Sequence, residues 1–122
     1  LAGRLCRLVV MQLLPGLVAA DLDAVGPAIG EIQREVGDYF APAQQGRFVS
    51  PDVAEVLRWL EGEGIAGIGQ SSWGPTGFAV LPDSNGATHL QREAERRFGE
   101  RQNLRFVVTR GRNQGAEVDL LG

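Results

Sequence analysis

The residues best suited to chemistry lie in residues 67–81, GIGQSSWGPTGFAVL. There Gln70, Ser71, Ser72, Trp73, Gly74, Pro75, Thr76 and Gly77 fall between two short apolar runs. Glycines let backbone N–H groups approach a ligand closely and permit positive φ. Successive N–H groups in such a bend can form an anion-binding concavity, and the serine hydroxyls add donors. The chemistry on offer is capture of a phosphate or carboxylate. An ordinary β-hairpin, whose Gly and Pro serve turn geometry alone, explains the same composition.

A second group lies on the aperiodic stretch DYFAPAQQGRFV, which holds Tyr39, Gln44, Gln45, Arg47 and Phe48. Connecting segments carry functional residues disproportionately. Arg47 offers a planar fork that matches a carboxylate or phosphate. The plainer alternative is a surface loop anchored by Tyr39, Phe40 and Phe48. Gln33 could reach the same pocket, although a solvated helix position is the simpler expectation. The sole histidine, His89, has no nucleophile or carboxylate at a recognisable spacing, so a surface or capping role is expected. Seven arginines between Arg92 and Arg112 could form an anion-binding face, but they are interleaved with Glu93, Glu95 and Glu100, the pattern expected of a solvated face. Asp21 and Asp23 read as helix-start acids, and Cys6 as a small core residue.

Composition removes several chemistries. All twelve basic residues are arginine, so a phosphate-loop lysine, a Schiff-base lysine and a pyridoxal anchor are impossible within this chain. One cysteine excludes an internal disulfide and fits a reducing cytoplasm. With one Cys and one His, no zinc site of soft ligands is expected, and no metal ligand set is assigned. A net charge of −3 argues against nucleic acid as a partner. No stretch approaches the roughly 20 apolar residues of a membrane span. The opening LAGRLCRLVVMQLL lacks an initiating Met and spaces its arginines helically, which disfavours a signal peptide and suggests a piece of something longer.

These residues need elements to position them. Length and 43% apolar content fit one packed domain over residues 1–122. A helix is expected over 4–20, with Leu5, Leu8, Val9, Leu13 and Leu17 on one face and Pro15–Gly16 kinking or splitting it. A second helix should run from Asp21 to about Val36 and end at Gly37. Ser50–Pro51 starts a third, with Val53, Val56, Leu57 and Leu60 inward. Strand, loop and strand follow across 65–81, then a helix over 87–98. LRFVVTR reads as a further strand. This order predicts an α+β fold, a ferredoxin-like sandwich with a mainly antiparallel sheet and helices on one face.

The segment Ser72, Gly74, Pro75, Thr76, Phe78 and Ala79 resembles the third signature motif of the GHMP kinase superfamily, in its homoserine-kinase form. MQLLPGLVAADLDAVGPAIGEIQ, VGDYFAPAQQGRF and GIGQSSWGPTGFA, in that order, are similar to the β-ribofuranosylaminobenzene 5′-phosphate synthase family. The likeness covers roughly residues 8–82. It implies a C-terminal domain whose partner N-terminal domain is missing here. It also implies an activity that joins phosphoribosyl pyrophosphate to 4-aminobenzoate or 4-hydroxybenzoate, releasing pyrophosphate and CO2, in methanopterin biosynthesis. On this resemblance Gln70, Ser71, Ser72 and the N–H groups near Gly74 and Thr76 would bind a phosphate or carboxylate, and Trp73 could stack on the ring. Mg2+ is implied for the family, though not for this domain alone. The isolated chain is then expected to be inactive, and a homodimer is a further option. Two other readings stay open: a small-molecule kinase of the homoserine-kinase type, and a non-catalytic module that grips a small anion.

Overall fold

The computed structural model describes residues 1–44, 46–72 and 74–120. Gln45 and Trp73 lie outside these described residues. Helix α1 (Ala2–Leu8) passes through a π-helical turn (Val9–Leu13) into α2 (Leu14–Val18). Pro15 has no N–H to donate, and the ladder widens just ahead of it, where the Leu14 N–H reaches back to the Val9 carbonyl. The helix therefore absorbs its proline instead of splitting. Cys6, expected in the core, is exposed, because this helix turns Leu5, Leu8 and Val9 inward.

Asp21 opens α3 (Leu22–Gln44), its carboxylate accepting from the Asp23 N–H at 3.1 Å. The expected stop at Gly37 is overrun, and Tyr39, Phe40 and Gln44 stand on a helix rather than a loop. Gly37 answers to space and not to capping. A Cβ there would lie 2.6 Å from Arg47 Cγ and 2.7 Å from the Arg47 carbonyl oxygen. Helix α4 (Pro51–Gly62) starts as its sequence indicates, with Ser50 Oγ accepting from the Val53 N–H at 3.3 Å. Helix α5 (Ser84–Phe98) begins ahead of residue 87 because Asp83 caps it, accepting from the Gly86 N–H at 2.7 Å.

Strands β1 (Ile68–Gln70) and β2 (Gly77–Ala79) pair antiparallel, with Gly69 opposite Phe78 and Gln70 opposite Gly77. A Cβ on Gly69 would meet Gln33 of α3 at 2.2 Å, and one on Gly77 would meet Val53 of α4 at 2.6 Å. Side chains alternate along a strand, so these two glycines mark opposite faces of the ribbon. Helices α3 and α4 thus approach the two-stranded ribbon at glycines on opposite faces, so helices packed on one face are not confirmed among the described residues. The fold is α+β. Among the described residues the sheet has two strands, and residues 104–110 join no ladder. The ferredoxin-like sandwich is not completed by these residues. The apolar residues that suggested a strand are nonetheless used: Leu104 and Phe106 pack on the core, and the Phe106 carbonyl accepts from Gln91 Nε2 at 3.0 Å. β-propensity measures fitness for a half-buried surface, not possession of a partner strand.

The core is built from Val56, Leu57 and Leu60 of α4, Ile68 of β1 and Phe98 of α5. Trp59 meets Phe98 edge-on at 5.7 Å. Arg101 then clips the end of α5 to the start of α4, donating to Glu55 at 2.6 and 3.0 Å and to Asp52 at 3.0 Å.

Candidate functional site

The far half of α3 and the turn between the strands face each other across a cleft of about 280 Å³. From α3 come Gln33, Val36, Gly37, Phe40 and Gln44; the opposite wall is Arg47, Gln70 and Ser72. Gln33, Gly37, Phe40 and Gln44 are spaced by four, three and four, one helical face. That periodicity was available in the sequence, and it was hidden by ending the helix at Gly37.

Gln70 is the joint of the site. The residue is 8% exposed and both ends of its side chain are used: Oε1 accepts from the Val49 N–H at 2.7 Å, and Nε2 donates to the Ser72 carbonyl at 3.0 Å. Its own N–H points away from β2 and donates to Gln33 Oε1 at 3.0 Å. Gln33, expected to be solvated, instead satisfies an edge amide of the ribbon. Within the turn, the Ser71 N–H donates to the Thr76 carbonyl and the Gly74 N–H to the Ser71 carbonyl, both at 2.8 Å. Two of the amides that could have met an anion are therefore engaged inside the turn itself. Ser72 at φ 53 and Gly74 at φ 69 give the bend its left-handed shape, and the Gly74–Pro75 peptide is cis. Of the expected residues, Arg47, Gln70 and Ser72 come together in the cleft, whereas Gly77 faces α4.

Arg47 forms a two-pronged pair with Asp38, Nε to Oδ1 at 2.8 Å and Nη2 to Oδ2 at 2.9 Å. The hydrogen bonds from Arg47, and then its charge, hold the Asp38 carboxyl below the usual aspartate range. A carboxylate with a lowered folded pKa contributes stability above its unfolded pKa, and that contribution disappears as pH falls through the folded value. The stability difference between the parent and Asp38→Asn should therefore be present above about pH 4 and vanish under more acidic conditions. Urea melts of both proteins across that range check it; a pH-independent difference would rule out the ion pair as its source.

A larger cavity, about 500 Å³, lies between α4 and α5 and is lined by Trp59, His89, Arg96 and Arg97 among others. Arg97 covers the Trp59 ring at 5.9 Å, and Arg96 is paired with Glu93 at 2.8 Å. Among the described residues, its lining includes no residue of the glycine–serine loop. Among the described residues, no group of three or more His, Cys, Asp and Glu side chains could hold a metal ion, and no helix is long and apolar enough to cross a membrane.

Comparison with known proteins gives consistent matches. Residues 13–101 match the family model described as "GHMP kinases C terminal". The chain is 36% identical over 120 residues to a β-ribofuranosylphenol 5′-phosphate synthase of Archaeoglobus fulgidus, covering 95% of the chain and 34% of that protein. It is 27% identical over 113 residues to the protein of the same name from Methanothermobacter thermautotrophicus, covering 93% of the chain and 32% of that relative. The chain thus spans about a third of the length of these curated relatives. No solved structure matches it significantly.

Proposed function

This chain belongs to the GHMP kinase C-terminal family, and from that premise we propose that it is the C-terminal lobe of a phosphoribosyl-dependent synthase. The reaction joins a ribose 5-phosphate unit, from phosphoribosyl pyrophosphate, to the ring carbon of 4-hydroxybenzoate or 4-aminobenzoate. Pyrophosphate and CO2 leave, and the setting is methanopterin biosynthesis in the cytoplasm. The observation that carries this reading is 36% identity sustained over 95% of the chain to a protein named for a ribofuranosylphenol phosphate product. The cleft beside the Ser72 turn supports it, since Gln70 and Ser72 of the motif line that cleft together with Arg47.

Positive charge develops on the sugar's anomeric carbon as pyrophosphate departs, and the ring supplies the electron pair. What this lobe contributes is orientation, holding one reactant still beside a surface completed by the remainder of the protein. The magnesium implied for the family does not fit the described residues. The cleft's nearby carboxylate, Asp38, is already held by Arg47, and no ligand cluster stands beside it.

The test is a release assay with the intact protein. Carboxyl-labelled 4-hydroxybenzoate and phosphoribosyl pyrophosphate should yield labelled CO2 in step with pyrophosphate. ADP formed from ATP and an alcohol, with no CO2, would replace this reading with a kinase.

A further inference from the structure

The two reactants of the proposed reaction differ in charge and body, and the lining of the cleft bears on which of them it takes. Among the described residues lining it, Arg47 is the only cation. Asp38 already holds two of the Arg47 nitrogens, leaving Nη1 without a partner among the described residues. A sugar pyrophosphate carries several negative charges, and one half-neutralised guanidinium beside a carboxylate is a poor counterion for it. Part of the turn's donor supply is already spent: the Ser71 and Gly74 amides donate to carbonyls within it and the Gln70 side chain is satisfied at both ends. Val36 and Phe40 also line the cleft. They offer apolar surface over a volume just below the usual range for ligand sites, roughly 300–1,000 Å³, which suits a small ligand.

We infer that this cleft seats a small monocarboxylate with an apolar body, the aromatic acid and not the phosphorylated sugar, with Arg47 as its charge partner. The inference rests on the reaction read above and names which reactant this lobe takes. Asp38 acts as the resident competitor. It occupies Arg47 when the cleft is empty and yields part of it to the incoming carboxylate. Once CO2 has left, the carbon–carbon electron pair stays with the ring and no carboxylate remains to hold Arg47, so Asp38 takes it back and the product loses its anchor.

Amide-resolved titration of the full chain tests this. The probes are 4-hydroxybenzoate, its uncharged analogue 4-hydroxybenzyl alcohol, pyrophosphate and ribose 5-phosphate. The acid should shift the amides of residues 33–40, 47 and 72. The alcohol should bind about tenfold or more weakly than the acid, the loss expected for one charged hydrogen-bonded contact. Arg47→Gln should weaken acid binding by a similar factor with an unchanged amide spectrum elsewhere, and Asp38→Asn should tighten it. No acid binding, tighter binding of pyrophosphate or ribose 5-phosphate in the same cleft, or indifference to both substitutions would each overturn the inference. The CO2 assay judges the reaction separately. CO2 release with no acid bound at this cleft sinks the site and spares the reaction; acid binding without CO2 release does the opposite.

Discussion

A protein carrying Gly30→Ala is expected to lose about 1–3 kcal/mol of stability, the usual cost of overpacking. The sign is informative, because the same change in a free helix is favourable by about 1 kcal/mol. A Cβ on Gly30 would stand 2.3 Å from the Ala66 carbonyl oxygen, and that oxygen belongs to main chain leading directly into β1. No rotamer change relieves the clash; α3 must move off the ribbon. Gly3→Ala is the internal control, with nothing within 4 Å of its added methyl. Urea unfolding of the two variants should separate them by sign. Equal or raised stability for Gly30→Ala would mean that α3 does not lie against Ala66.

Gln70→Ala is expected to cost about 2–4 kcal/mol and to abolish acid binding in the cleft. It strands the Val49 N–H and the Ser72 carbonyl, and each polar group left unpaired in a part-buried place costs about 1–3 kcal/mol. It also cuts a side chain that ties the Arg47 segment to the Ser72 turn. Gln70→Glu separates the two roles, since a carboxylate still accepts from Val49 but cannot donate to Ser72. Amide exchange at Val49 should accelerate strongly in the alanine variant and far less in the glutamate variant. Equal protection at Val49 in all three proteins would show that the Gln70 bridge does not hold this segment.

Much of this arrangement was legible in the residues. Ser50–Pro51 announced α4, and the three-and-four spacing of Val56, Leu57 and Leu60 named its buried face. The glycine–serine bend was legible as a turn between strands. What stayed hidden depended on contacts distant in sequence. Gly37 looks like a helix stop until Arg47 is seen lying across it. Gln33 looks solvated until the Gln70 amide is placed beside it, 37 residues away. Asp83 was passed over because the residues it caps, Ser84, Asn85 and Gly86, carry no apolar signal. Residues 104–110 have the composition of a strand, but composition does not disclose which edge, if any, is free to receive it.

One long element runs through all of this with almost no padding. Along α3, Gly26 abuts the Gly67 nitrogen, Gly30 the Ala66 oxygen and Gly37 the Arg47 main chain. Where backbone bears directly on backbone, no side chain can swivel to take up slack, and close-packed matter passes a push along instead of damping it. The helix is in effect a stiff shaft keyed at three points. Re-engineering this lobe to accept a bulkier guest thus means shifting the whole shaft and the hairpin root keyed to it, and trimming Val36 or Phe40 alone will not suffice.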